Sequence, residues 1–204
     1  MKHKTRTVII NGSLRAKGNT DVVINSLLNG TKKSDTIIKQ FVLRNKNIGG
    51  CRGCYFCYKN DHCTLKDDMQ EIHNEIQKAD LLILASPMYW WGVTGLMKTF
   101  IDRLYLYYPK SNGHLVAGKK LLFIIPMNVN EKQHGRKAYL SEIEPIQMTS
   151  KYIFKRLGIE LIDIVFYSGL SAKGDAIKNV EYLDSAFKLG ENLIEILNKS
   201  IIIN

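Results

Sequence analysis

Two kinds of apolar run alternate along the chain. Thr5 to Ile10 is a short β-rich run that stops at Asn11-Gly12, after which residues 21–30 (DVVINSLLNG) repeat their apolar side chains at helical spacing. Ile37 to Leu43 reads as a second strand. Met69, Ile72 and Ile76 mark one stripe of an amphipathic helix over 64–78, with Thr64 or Asp67 as its N-cap. Asp80 to Ala85 and Lys119 to Ile125 carry the continuous runs LLILA and LLFII, the pattern of strands covered on both faces; Pro126, which has no N–H for a central ladder, ends the second. Val93 to Leu106 and Glu144 to Leu157 are predicted helical, Glu160 to Tyr167 a further strand, and Ala176 to Asn198 one long terminal helix containing Gly190. Strands and helices thus alternate about five times, which predicts a three-layer α/β sandwich with right-handed crossovers.

The 204 residues are 45% hydrophobic and 24% charged, enough for a core of their own. No repeat, low-complexity tract or linker divides them, so the expectation is a single domain over 1–204 with a cysteine-rich insert at 49–65. The apolar runs are of strand length, far below the roughly 18 residues of a membrane span. The opening MKHKTRT lacks the form of a cleavable signal, and a cytoplasmic protein is expected. Lys and Arg number 29 against 19 Asp and Glu, a formal charge of +10. These charges are spread without a basic block, which argues against nucleic acid as a partner and leaves attraction of anionic ligands. The polar stretch from Asn128 to Ser141 is the longest connection: a lid, a partner surface or a solvated loop.

Ligands of open parallel sheets bind beyond the carboxyl ends of the strands, and three loops leave such ends. The first, GSLRAKGNT at 12–20, offers Gly12 and Gly18 for tight turns, Ser13, Asn19 and Thr20 as donors, and Arg15 and Lys17 as cations. It also opens a helix whose free N–H groups favour an anion. It has neither the lysine-plus-hydroxyl ending of a nucleotide P-loop nor GxGxxG spacing, so a terminal monoester phosphate suits it and FMN comes before NAD. In the second loop, SPMYWWG at 86–92, Pro87 fixes the backbone while Tyr89, Trp90 and Trp91 offer flat surfaces and Met88 a polarizable one for an aromatic ring. From the third, PMNVN, Asn128 is a candidate for the polar edge of that ring.

All four cysteines, Cys51, Cys54, Cys57 and Cys63, fall within CRGCYFCYKNDHC. A secreted disulfide framework is spread through a small chain, not confined in this way. Four thiolates suit zinc, but the repeated two-residue spacing favours an iron-sulfur cluster over zinc, whose sites come as separated pairs; thiols or a disulfide without metal form the third reading. His3 and His73 have no matching neighbour that suggests an acid-base pair, and His62, which could ligate a metal in the absence of Cys63, is read as a solvated loop residue without a role.

On residues 12–20, on CRGCYFCYKNDHCTLKDDM at 51–69 and on KADLLILASPMYWWGVTGLMKTFIDR at 78–103, the chain resembles the NADPH-dependent FMN reductase family, and in particular its iron-sulfur flavoprotein branch. Beyond residue 120 the likeness is by order of elements alone. The resemblance implies a flavodoxin-like, doubly wound five-stranded parallel sheet in the order 2-1-3-4-5. It implies FMN, with the phosphate on Ser13, Arg15, Asn19 and Thr20 in the loop that also holds Lys17 and Gly18, and the ring against Pro87, Met88, Tyr89, Trp90 and Gly92. It further implies a 4Fe-4S cluster on Cys51, Cys54, Cys57 and Cys63, and a homodimer or homotetramer in which a second subunit helps cover the flavin. Pro126-Met127-Asn128 departs from the glycine-rich stretch common after the fourth strand.

The expected function is therefore electron transfer through FMN, from NAD(P)H as co-substrate or from reduced ferredoxin, to a quinone, another small electrophile or dioxygen. The cofactor carries that chemistry, so no catalytic side chain is required. A non-enzymatic flavin-binding or thiol redox-sensing protein is the alternative, and a zinc-stabilised nucleic-acid binder a more remote one.

Overall fold

A computed structural model describes residues 4–32, 35–108 and 110–198. Five parallel strands make one sheet: β1 (Thr5–Asn11), β2 (Thr36–Val42), β3 (Leu81–Ala85), β4 (Lys120–Pro126) and β5 (Glu160–Tyr167), in the spatial order 2-1-3-4-5. The sheet grows from β1 to one edge and from β3 to the other, the flavodoxin-like arrangement. Its reversal point puts the carboxyl ends of β1 and β3 side by side, Asn11 opposite Ala85 and Ala85 opposite Ile124.

β3 is buried at every position, and alternate residues of the central strands feed opposite layers. On one face Val8, Ile10, Leu82, Leu84 and Phe123 pack with α2 (Met69–Lys78), α3 (Gly95–Arg103) and α4 (Arg136–Arg156), chiefly through Ile72, Phe100 and Phe154. On the other, Ile9, Ile83 and Ile124 pack with α1 (Asn19–Thr31) and α5 (Val180–Glu191) through Val23, Leu27 and Ala186. α1 and α5 touch backbone to backbone at Gly30 and Gly190, where a Cβ would run into the Phe187 or the Leu27 carbonyl.

Helix boundaries depart from the periodicity in four places. α2 starts at Met69, because Asp67 accepts the Met69 N–H at 3.1 Å and also ties down Gly49, so residues 64–68 form a strap. α3 is capped by Thr94 and ends at Arg103, tightening into a 3₁₀ turn over Leu104–Tyr107. α4 begins at Arg136 and takes up the end of the polar 128–141 connection; its first turns are largely exposed and have no apolar stripe to show them in the sequence. The terminal helix is broken into Asp175–Lys178, α5 and Leu193–Asn198, the first break falling where the Asn179 side chain accepts the Tyr182 N–H and caps α5. No helix among the described residues is long and apolar enough to cross a membrane.

Candidate functional site

The loops after β1, β3 and β4 meet in a pocket of about 300 Å³. Ser13, Arg15, Gly18, Asn19 and Thr20 line one side, Pro87, Met88, Tyr89 and Trp90 another, and Asn128 a third. Lys17 and Gly92 are not lining residues. Lys17 turns at φ 56° and sends its N–H to the Asp21 carboxylate at 2.7 Å, while Gly92 closes a turn with Tyr89. Pro126 and Met127, from the third loop, and Leu170, Ser171 and Lys173 complete the lining, and the last three were not singled out from the sequence. Those from 170–173 follow β5, and position past a strand's carboxyl end was their only signal.

Local bonding explains the shape of the first loop. A Cβ on Gly12 would stand 2.8 Å from the Met97 Cβ, so this glycine allows close approach to α3 rather than a tight turn. Thr94 joins the first two loops, its hydroxyl donating to the Gly12 carbonyl at 2.6 Å and accepting the Met97 N–H at 3.2 Å. Asn19 is engaged at both ends of its amide: the oxygen accepts the Gly174 and Ala176 N–H groups, each at 3.1 Å, and the nitrogen donates to the Ala172 carbonyl at 2.9 Å. It therefore clamps the 170–176 segment that forms the outer wall.

The second loop is strained. Tyr89 and Gly92 exchange both backbone hydrogen bonds, at 2.9 and 3.0 Å, leaving Trp90 and Trp91 as the central residues of a two-residue turn with φ 48° and 57°. That is the geometry of a type I′ turn, which favours Asn-Gly; bulky residues there cost about 1–3 kcal/mol each. Trp90 is 88% exposed. The pocket thus has hydroxyls, cations and a helix N-terminus at one end and aromatic, proline and methionine surfaces at the other. This two-ended lining fits an aromatic ring carrying a phosphate, as in FMN.

The four cysteines lie apart from this pocket, around a smaller one of about 30 Å³ that Arg103 and Tyr105 also line. All four thiols are free. Four soft sulfurs suit zinc or an iron-sulfur cluster by donor chemistry, yet among the described residues no three His, Cys, Asp or Glu side chains converge as a metal site. The Phe56 N–H and the Thr64 hydroxyl hold the Cys54 thiol below its ordinary range, whereas burial pushes Cys57 up. Beneath the loop, Arg103 meets Asp67 at 2.6 and 3.2 Å, donates to the Gly49 carbonyl at 2.8 Å and reaches Cys63 Sγ at 3.6 Å. Burial opposes both charges, but the pair wins: Asp67 titrates below, and Arg103 above, its usual range. Asn112 holds the loop from the other side, donating to the carbonyls of Cys57 and Asn60. His62 pairs with Asp61 on the surface, and His3 lies outside the described residues. His73 is buried against the Tyr107 hydroxyl at 2.9 Å, and burial pushes its pKa down to about 3.

A family model described as NADPH-dependent FMN reductase matches residues 5–142. The chain belongs to this family. Among curated relatives, an iron-sulfur flavoprotein of Archaeoglobus fulgidus is 36% identical over 102 residues, covering 50% of this chain and 46% of that protein. Another, of Clostridioides difficile (strain 630), is 40% identical over 101 residues, covering 48% and 45%. The matched region spans about half the length of these relatives. In fold, the chain is similar to the NAD(P)H:quinone oxidoreductase from Methanothermobacter marburgensis, with a TM-score of 0.71 at 16% identity over 93% of this chain and 94% of that one.

Proposed function

We propose that this protein is an FMN-dependent oxidoreductase that takes electrons from NAD(P)H, or from reduced ferredoxin, and passes them to a quinone, another small electrophile or dioxygen. The observation that carries this reading is the single pocket joining an anion-binding loop to an aromatic turn at the reversal point of the sheet. FMN supplies transfer of a hydride or of single electrons. Ser13, Thr20, Arg15 and the first turn of α1 hold the phosphate, with Gly18 letting the chain pass close to Arg15 and Asn19 fixing the opposite wall. Pro87, Met88, Tyr89 and Trp90 support the ring, and Asn128 faces its polar edge. Lys17 and Gly92 set the shapes of their loops. A second subunit, in a homodimer or homotetramer, covers the exposed Trp90, and the protein works in the cytoplasm as one domain with a cysteine-rich insert.

Cys51, Cys54, Cys57 and Cys63 are the residues that would hold a 4Fe-4S cluster. Four free thiols around one pocket and the names of the matched relatives support this; the loop must draw its sulfurs together to close on iron. Three observations favour a second reading, a flavin-binding thiol sensor: Cys54 is exposed, its thiol is held low, and among the described residues no three ligands converge.

An absorption spectrum of anaerobically purified protein, with iron and sulfide analysis, tests both. Flavin bands that bleach with NADPH or NADH are expected, and bleaching only by reduced ferredoxin identifies the other donor. Absence of flavin, even after reconstitution, overturns the main reading. Flavin without iron or sulfide removes the cluster, and reversible thiol oxidation with negligible turnover favours the sensor.

A further inference from the structure

A carboxylate stands in the first turn of the helix whose N-terminus is to receive an anion. Asp21 lies in the first turn of α1, and a negative charge there competes with a phosphate for the same helix N-terminus. It is not idle: the Lys17 N–H reaches it at 2.7 Å and the Asn11 amide at 2.6 Å, while Asn11 accepts the Ser13 N–H at 2.9 Å. Asp21 therefore shapes the loop and, by its charge, works against the ligand that the loop is to bind.

Arg44, from the turn after β2, resolves this conflict. Its guanidinium meets both Asp21 oxygens, at 3.1 and 2.8 Å, and donates to the Ser13 carbonyl at 3.2 Å. The two side chains are only 19% and 13% exposed, so water screens the pair far less than a surface pair. Neither residue lines the pocket. We propose that Arg44 is a positioning residue for phosphate recognition: it neutralises Asp21 and pins Ser13, so that the loop keeps its shape without repelling a phosphorylated ligand. The inference rests on the FMN reading and adds the source of its selectivity for the phosphate.

FMN and riboflavin differ by the phosphate alone, and their affinities for the flavin-free full chain isolate the effect. The wild type is expected to prefer FMN. Arg44→Met should lower the FMN-to-riboflavin affinity ratio about tenfold, equivalent to one unpaired charge worth about 1.4 kcal/mol, with riboflavin affinity little changed. Arg44→Lys should keep most of the ratio. Asp21→Asn, which retains an acceptor for Lys17, should keep or raise it, and Asp21→Asn combined with Arg44→Met should recover it. A ratio unchanged in Arg44→Met, or parallel loss of both ligands, overturns the proposal. Where that variant does not fold, the double variant decides: a ratio still about tenfold down overturns charge screening. A wild type that binds both flavins equally defeats the FMN-phosphate reading itself, a different outcome from a selective wild type with a selective Arg44→Met.

Discussion

His73 shows how burial turns a titratable side chain into a stability determinant. Burial and then the nearby Arg103 charge lower its folded pKa to about 3, with Asp67 pulling the other way, whereas an unfolded histidine titrates near ~6.5. Between those values the unfolded chain binds the extra proton. The His73 contribution is therefore full above about pH 6.5 and is lost at about 1.4 kcal/mol per unit as the pH falls below it. Urea unfolding at pH 7 and 5 should show this slope in the wild type and a shallower one in His73→Phe. Arg103 is less forgiving, with its side chain 1% exposed beside an Asp67 that is 9% exposed. Arg103→Met leaves that carboxylate buried without its partner and should cost about 3–5 kcal/mol in the same assay. At this level the sequence was informative where chemistry is contiguous: Ser13, Arg15, Gly18 and Thr20 are neighbours in one loop and line one pocket. Arg44, Asn112 and Lys173 were illegible, since only the crossovers bring them to their sites.

The SPMYWWG loop sets backbone strain against function. Trp90 and Trp91 hold positive φ in a turn that Asn-Gly would adopt freely. Replacing them together, Trp90→Asn with Trp91→Gly, should raise unfolding stability by about 1–3 kcal/mol while weakening flavin binding, measured by thermal melts and by flavin titration. Equal or lower stability would show that the rings return more in packing than the turn costs. The strands were legible because LLILA and LLFII are apolar throughout, as two-sided burial demands. Helix ends were less so. Residues 64–68 are held by Asp67 as a strap, and the exposed start of α4 carries no stripe for a periodicity argument to find.

Across the whole molecule, the sheet order places β1 and β3 at the reversal point, and this decides where the pocket lies. Alternation of strands and helices pointed to the three layers, but the outer wall at 170–176 could not be read, because nothing local marks a segment that Asn19 holds from 151 residues away. Asn19→Ala tests that link. It should cost about 1–3 kcal/mol, raise amide exchange across 170–176 above that of the sheet, and lower flavin affinity. Unchanged exchange there would show that the wall stands without its clamp.

The same clamp orders events during synthesis. The loop at 12–20 leaves the ribosome well before the wall that Asn19 grips, which is made only after β5. At about 5–20 residues per second the two are separated by several seconds to half a minute. Cofactor capture therefore belongs to a chain that has passed residue 176, and a nascent chain stalled before β5 would carry the loop without retaining flavin.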